Sequence, residues 1–259
     1  MIVKKDEDEL EAGEVLVDGI VGGNKYRFLF DTGAARTCLK LDNYTEKFVC
    51  IEKHTFSGAF AQSSADLIKV PTIEIGPILR NDFAVSRGNN EESRNLIGMD
   101  ILKNHNFYFS FENNLIEVDC ENKVNDSFQE IYMGKKFHPY ITVNFGDLET
   151  KGVWDTGAGI TIVDLEFIKK HPSFFKEVDN SIGTDSTGTK NETPIFIMSD
   201  VIIGNNKFSP HRVAGVDLSF INNSTEIHMD MILGYSTLSK ADWFFDFTKR
   251  MWFVAKMLE

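Results

Sequence analysis

Short β-prone runs with a period of two, separated by turn signals, recur along most of the chain. Residues 14–30 show the pattern most clearly. Two runs, Glu14 to Val21 and Lys25 to Phe30, flank Gly22-Gly23-Asn24, and this reads as a β-hairpin whose second strand leads directly to Asp31. Thr37-Cys38-Leu39 continues as a short strand, and residues 43–50 read as a helical turn or loop. The stretch from Thr55 to Ala65 is small and polar between β-prone flanks, which predicts a projecting hairpin. Strands follow up to Ile75 and over 82–87, then a polar loop over 88–94. Asn95-Leu96-Ile97-Gly98 leads into a short helix from Met99 to Lys103, and 106–111 and 115–118 form a hairpin across Asn113-Asn114. Residues 119–130 are polar and without periodicity, as a linker is.

The pattern then starts again. Pro139-Tyr140-Ile141-Thr142-Val143-Asn144-Phe145-Gly146-Asp147 aligns without a gap on the run from Val15 to Gly23, and each run leads to an Asp-Thr-Gly. Leu233-Gly234-Tyr235 onward aligns on Ile97-Gly98-Met99 onward, with Trp243-Phe244-Phe245-Asp246-Phe247 opposite Phe107-Tyr108-Phe109-Ser110-Phe111. Between the two anchors the second copy has gained about a dozen residues, around 181–192 and 215–225. Anchors matched in the same order mark an internal duplication of a β-rich unit of roughly 120 residues. The Phe and Trp runs alternate with polar residues as half-buried strands do, so they are expected in the core.

The tripeptide Asp-Thr-Gly stands at 31–33 and again at 155–157, each time after an apolar run and before Ala (Ala34, Ala158). At average usage it should occur by chance only about 0.05 times in such a chain. As a turn residue each Asp would be unremarkable, but that role leaves the duplication unexplained. If the two units face each other across a two-fold axis, each strand end presents a carboxylate to the other. Two carboxylates a few ångströms apart share one proton. The charged one can take a proton from water while the protonated one donates to a carbonyl oxygen, which suits amide hydrolysis without a metal or a covalent intermediate. Each Gly lets a backbone N–H approach its own carboxylate and fix its rotamer, and each Thr hydroxyl can bond across the axis to the partner loop.

These residues resemble the aspartic proteases of the pepsin and retropepsin type, from about Val15 to Val254. A second signature of that family, two apolar residues then Gly, also occurs twice, as Leu96-Ile97-Gly98 and Ile232-Leu233-Gly234. Each half looks like one retropepsin subunit, so the chain resembles a fused retropepsin dimer. The resemblance implies an all-β acid-protease fold with two homologous barrel-like lobes, pseudo-two-fold symmetry and a cleft between them. It implies Asp31 and Asp155 as the catalytic pair, supported by Thr32, Gly33, Ala34, Thr156, Gly157 and Ala158. The family closes over its substrate with hairpin flaps. The candidates are Gly58, Ala59 and Phe60 in the first half and Thr184, Asp185 and Ser186 in the second. The acidic residue that retropepsins carry soon after Asp-Thr-Gly-Ala is replaced by Ala35-Arg36 and Gly159-Ile160, and Arg36 is expected to meet a structural acid. Pepsin-like enzymes carry a hydroxyl at the positions of Ala34 and Ala158. Its absence should raise the pair's pKa values and move the optimum to mildly acidic or near-neutral pH.

The expected organisation is an acidic tail over 1–12, a first lobe over 13–118, a linker over 119–131 and a second lobe over 132–259. The terminal segments 14–18 and 250–257 and the linker are expected to pair in a sheet bridging the lobes. A formal charge of −12 without a basic stripe argues against nucleic acid as a partner. No apolar run is long enough to span a bilayer, and the charged start lacks a signal peptide's apolar stretch. Three Cys make a disulfide framework unexpected and favour a reducing, cytoplasmic compartment, although a Cys38–Cys50 bridge is open. The His show no metal-ligand spacing, so neither metal nor cofactor is expected. The expected function is an aspartic endopeptidase acting as a monomer on an extended peptide or protein. The rivals are a catalytically silent peptide-binding module of the same fold and a glycoside hydrolase, whose carboxylates would stand about 5 Å or more apart.

Overall fold

The structure is a computed structural model that describes the chain apart from residues 10, 59–60, 90–92, 121–126, 186 and 259. Among the described residues the strands form three sheets of eight, nine and five strands. The eight-stranded sheet uses strands between Ile2 and Ile97, and the nine-stranded sheet uses strands between Tyr140 and Leu233. The chain is therefore all-β, with its two halves built alike.

The first hairpin shows why. Strand Gly13–Val21 pairs antiparallel with Asn24–Phe30, closing with Val21 opposite Asn24. The turn between them is Gly22-Gly23, both at positive φ (51° and 84°). Left-handed backbone at both central residues is what a two-residue hairpin of matching twist requires, and glycine adopts it without a Cβ clash. In the second half, Tyr140–Phe145 and Leu148–Trp154 pair in the same way around Gly146-Asp147, with Gly146 at φ 59°.

Each hairpin's second strand is then covered on its free edge by a later segment. Leu29 and Phe30 pair in parallel with Leu96 and Ile97, and Val153 and Trp154 pair in parallel with Ile232 and Leu233. The strand after each Asp loop lies antiparallel on the far side of that later segment, with Cys38 opposite Leu96 and Ile162 opposite Ile232. This crossing fixes the end of each Asp-bearing strand from both sides.

The five-stranded sheet joins the halves. Its order is Leu115–Val118, Asn106–Ser110, Ala241–Asp246, Met251–Met257 and Gln129–Glu130. Trp243 lies opposite Phe109 and Phe245 opposite Phe107, so hairpins from the two copies pair across the pseudo-axis. Phe107, Phe109, Trp243, Phe245 and Trp252 are fully buried on its inner face. There they meet the residues just before each Asp. Phe30 stands edge-on to Phe107 and Phe109 at 5.4 and 5.6 Å, and Trp154 lies 4.8 Å from Phe109 and 4.2 Å from Phe245. Such aromatic pairs add about 0.5–1.5 kcal/mol each beyond the area they bury. The abundance of Phe thus serves a shared floor beneath both Asp loops.

Several expectations need correction. Residues 14–18 belong to the first lobe's own sheet, where Leu16 pairs with Ile2 and Leu29, and they take no part in the bridging sheet. Residues 251–257 and 129–130 do. The acidic start is not a free tail. Ile2–Lys5 is a strand, and Glu9 forms a largely covered ion pair with Arg212 of the second lobe at 2.6 Å. Local charge made 1–12 look solvated, but its partners lie far along the chain. Cys38, Cys50 and Cys120 are all free thiols, so there is no Cys38–Cys50 bridge.

Candidate active site

Asp31 and Asp155 end equivalent strands and face each other. The backbone N–H of Asp31 donates to Ile97 O and that of Asp155 to Leu233 O, both at 3.0 Å, so each Asp is still held by the crossing strand. The chain then turns through Thr-Gly. Ala34 N donates to Asp31 Oδ1 (2.8 Å), and Gly157 N to Asp155 Oδ1 (2.7 Å). Gly33 N reaches across to donate to Asp155 Oδ1 at 3.0 Å.

The two glycines explain how the loops come so close. A Cβ on Gly33 would lie 2.2 Å from Asp155 Oδ2, and one on Gly157 would lie 2.4 Å from Asp31 Cγ. Each glycine is therefore the floor on which the opposite carboxylate rests. Neither needs positive φ. The expectation that each glycine N–H approaches its own carboxylate holds for Gly157, whereas Gly33 N donates to Asp155 of the opposite loop.

The Thr residues lock the pair. Thr32 Oγ1 donates to Trp154 O (2.8 Å) and accepts from Thr156 N (3.1 Å). Thr156 Oγ1 donates to Phe30 O (2.5 Å) and accepts from Thr32 N (3.2 Å). Both Thr are buried, and the four bonds are related by the pseudo-axis.

Behind each loop, the apolar-apolar-Gly segment acts as a shelf. Met99 N donates to Ala34 O (2.8 Å) and Tyr235 N to Ala158 O (2.9 Å). A Cβ on Gly98 would lie 2.6 Å from the Arg36 carbonyl carbon, and one on Gly234 would lie 2.3 Å from Ile160 O. Two further residues, Thr37 and Thr161, complete the support and escaped the sequence reading. Their hydroxyls accept from Gly98 N (3.1 Å) and Gly234 N (3.0 Å). The signal was present, since each stands six residues after its Asp.

What lies behind these Thr differs between the lobes. Thr37 donates through both N (2.9 Å) and Oγ1 (2.7 Å) to Asp100 Oδ1. Burial pushes the Asp100 carboxyl up, against the pull of those bonds. In the second lobe Thr161 bonds Ser236 and Thr237, and Thr237 bonds the buried His211. Burial drives His211 down to about 4. The ring is therefore neutral at ordinary pH, with Nδ1–H donating to Ser209 O (2.8 Å) and Nε2 accepting from Thr237 (2.7 Å).

The carboxyl pair is electrostatically strained. Asp31 is raised well above the usual carboxylate range, first by burial and then by the negative charge of Asp155, against the amides of Ala34 and Gly33. Asp155 is raised by burial, against the amides of Gly157 and Gly33 and a hydrogen bond from Asp31. Two carboxylates within hydrogen-bonding reach titrate as a unit that holds one proton between them. That proximity also speaks against a glycosidase, whose carboxyl groups stand farther apart.

Two long hairpins reach toward each other. Glu52–Ser57 pairs with Gln62–Ile75, and Phe175–Thr184 with Lys190–Met198. Their tips touch, with Ala61 N donating to Asp185 Oδ2 at 3.2 Å. Asp185 Oδ1 meanwhile accepts from Thr187 N and Thr189 N, holding its own turn. Of the flap residues expected from sequence, Gly58, Thr184 and Asp185 lie at these tips. Ala59, Phe60 and Ser186 lie outside the described residues.

Residues 17–104, which span the first Asp loop and its shelf, match the family model described as gag-polyprotein putative aspartyl protease. The fold of the whole chain matches the crystal structure of aspartic proteinase from Irpex lacteus. The TM-score is 0.61 at 14% identity, over 96% of this chain and 95% of that one. Residues 17–104 thus resemble the aspartic proteases in sequence, and the whole chain shares their fold. No curated protein matches it by sequence. The sequence match lies within the first half of the chain, and at 14% identity the structural match speaks for the fold alone. The likeness of the second half rests on its own Asp-Thr-Gly and the geometry above.

Proposed function

We propose that the protein is an aspartic endopeptidase that hydrolyses peptide bonds with a water activated between Asp31 and Asp155. The observation that carries this reading is the reciprocal seat of the carboxylates, each resting on the other loop's glycine. With one proton on the pair, the charged carboxylate draws a proton from the water as its oxygen attacks the scissile carbonyl carbon. The protonated carboxyl donates to the carbonyl oxygen, giving a tetrahedral diol. Collapse breaks the C–N bond and returns a proton to the leaving nitrogen. No side chain is acylated. A substrate lying extended between the lobes would meet the two hairpin tips from above, as added strands meet a sheet edge.

Incubating an unstructured protein with the wild type, Asp31→Asn and Asp155→Asn tests the reading. Cleavage should appear only with the wild type and stop on adding a statine-type inhibitor. Cleavage that persists in either variant overturns the dyad. A wild type that binds peptides without cutting them marks a silent binding module.

A further inference from the structure

The two Asp loops are held from behind by residues at matched positions but of different chemistry. Asp100 stands two residues after the shelf glycine Gly98, and Ser236 two after Gly234. Asp100 Oδ1 accepts from both the amide and the hydroxyl of Thr37. Ser236 Oγ takes over only the first of these bonds, accepting from Thr161 N at 3.0 Å. The hydroxyl of Thr161 turns instead to Thr237 Oγ1 at 2.6 Å, and Thr237 to the ring of His211 at 2.7 Å. In the place of Thr237 the first lobe has Ile101, three residues after Gly98. In the place of His211 it has Phe83. Cys38 lies opposite Ser86 as Ile162 lies opposite Ala214, and each ring stands three residues before that neighbour. A serine in the carboxylate's place and a buried Thr–His pair in the place of two apolar residues thus occur together.

The ring fixes the direction of every bond in this chain. Ser209 O can only accept, so Nδ1 of His211 carries the proton and Nε2 is bare. Thr237 must then donate to Nε2 and Thr161 to Thr237, which leaves the Thr161 oxygen to accept from Gly234 N at 3.0 Å. Gly234 follows Leu233, whose carbonyl holds the N–H of Asp155. His211 and Thr237 are 1% and 0% exposed, so the chain is closed to solvent. A proton on Nε2 would reverse it. Thr237 would have to donate to Thr161, whose own proton could reach only Gly234 O at 3.4 Å. That oxygen already accepts from Thr237 N and Leu238 N. Asp100 forces no such reversal, because a protonated carboxyl can hold the proton on one oxygen and accept with the other.

The charges around the ring do not draw a proton in. Lys240, just beyond Thr237, repels one. Arg212, next on the strand, is held by Glu9 and Asp179, and the residue opposite His211 on the neighbouring strand is the apolar Met198. Asp100, by contrast, feels the positive charge of Arg36.

We propose that His211 is a positioning residue for Asp155, its bare nitrogen filling the acceptor role of Asp100 and giving the second Asp loop an acid limit of its own. The inference rests on the endopeptidase reading for its kinetic readout alone.

The test compares the wild type with His211→Phe, His211→Gln and a triple variant, Ser236→Asp with Thr237→Ile and His211→Phe, which copies the first lobe's set. His211→Phe strands the Thr237 hydroxyl. Its kcat should fall by roughly tenfold with KM unchanged, less than the hundredfold of a full 1 Å misplacement. The triple variant should recover it. His211→Gln offers an amide oxygen near the place of Nε2 and cannot become a cation, so it should keep kcat at neutral pH. Wild-type kcat should drop reversibly as pH falls through about 4, where the buried ring gains its proton. That step should be missing from His211→Gln and from the triple variant. The dyad titrates in every variant, so the difference isolates the ring. Amide hydrogen exchange at Gly234 and Asp155 should quicken in His211→Phe and slow again in the triple variant. A His211→Phe kcat equal to the wild type's overturns the proposal, as does an acid limb common to the wild type and His211→Gln. A folded triple variant as impaired as His211→Phe also overturns it, since a ring that merely fills space would give that result. If His211→Phe fails to fold, the two acid limbs decide. Exchange that tracks His211 in a wild type that cuts no peptide sinks the endopeptidase and keeps the chain, whereas cleavage and exchange indifferent to His211 do the reverse.

Discussion

Gly33→Ala isolates the claim that each glycine seats the opposite carboxylate. The new methyl would sit 2.2 Å from Asp155 Oδ2. Ordinary carbon–oxygen contact is farther, so the carboxylate must retreat by about 1 Å. That retreat breaks the 3.0 Å bond from Gly33 N to Asp155 Oδ1 and moves one half of the proton-sharing pair. A 1 Å misplacement of a reacting group costs on the order of 100-fold in rate. Stability should barely change. Gly33 is not at positive φ, and losing a glycine from the unfolded chain favours folding by about 0.4–1 kcal/mol, which offsets part of the strain.

Gly23→Ala is the matching control. Gly23 is at φ 84° with nothing within 4 Å of the added methyl, so the cost there is backbone strain of about 1–2 kcal/mol. It should lower the melting temperature and leave kcat/KM per folded molecule intact. The assay is kcat/KM on a quenched fluorescent peptide beside a thermal melt for each variant. If Gly33→Ala keeps wild-type kcat/KM, or loses it only in step with its melting temperature, the seat is not what positions the pair.

Three other outcomes follow from the same geometry. Thr32→Val keeps the shape of the side chain but strands Trp154 O and Thr156 N in a buried site, so denaturant melts should show a loss of about 2–4 kcal/mol; a loss near zero would mean the cross-lobe lock is redundant. Asp31→Asn should stabilise the fold while abolishing cleavage. The folded pKa of Asp31 is raised, so the charged form is penalised in the folded state from the unfolded value near 4 upward, fully so above the folded pKa. Melts should therefore show the gain at about pH 7 and little at about pH 3, and an equal gain at both would refute the sign. Trp154→Phe should cost less than Trp243→Phe by about 1–2 kcal/mol, since the buried Trp154 Nε1 has no hydrogen-bond partner among the described residues while that of Trp243 donates to Leu238 O at 2.8 Å; equal costs in chemical denaturation would show the unpaired donor to be harmless.

Much of this was legible in the sequence because it is local or repeated. Gly22-Gly23 encodes its turn in two residues, and the hairpin that delivers Asp31 follows from it. The duplication made the two Asp loops and their shelves visible as pairs, since a feature present twice in the same order needs no outside reference. What was not legible depends on pairing across long separations. Nothing in Ile2–Lys5 says that it lies beside Gly13–Val21, nor that Glu9 meets Arg212. Residues 14–18 have the alternation of any strand, and alternation does not name a neighbour. Thr37 and Thr161 were readable in principle, but a lone Thr six residues after an Asp draws notice only once Gly98 and Gly234 are seen to need an acceptor.

The distribution of symmetry and asymmetry between the lobes has its own logic. The parts that keep their likeness are those where the two halves touch each other: the carboxylates, the glycines beneath them, the Thr lock and the aromatic floor. A change in one of these must be matched in the other, because both sides of each contact come from the same repeat. One step back the coupling ends, and the residues diverge. Asp100 holds Thr37, while Ser236, Thr237 and His211 hold Thr161. Both arrangements supply a buried acceptor for a Thr hydroxyl, so they do the same work by different chemistry.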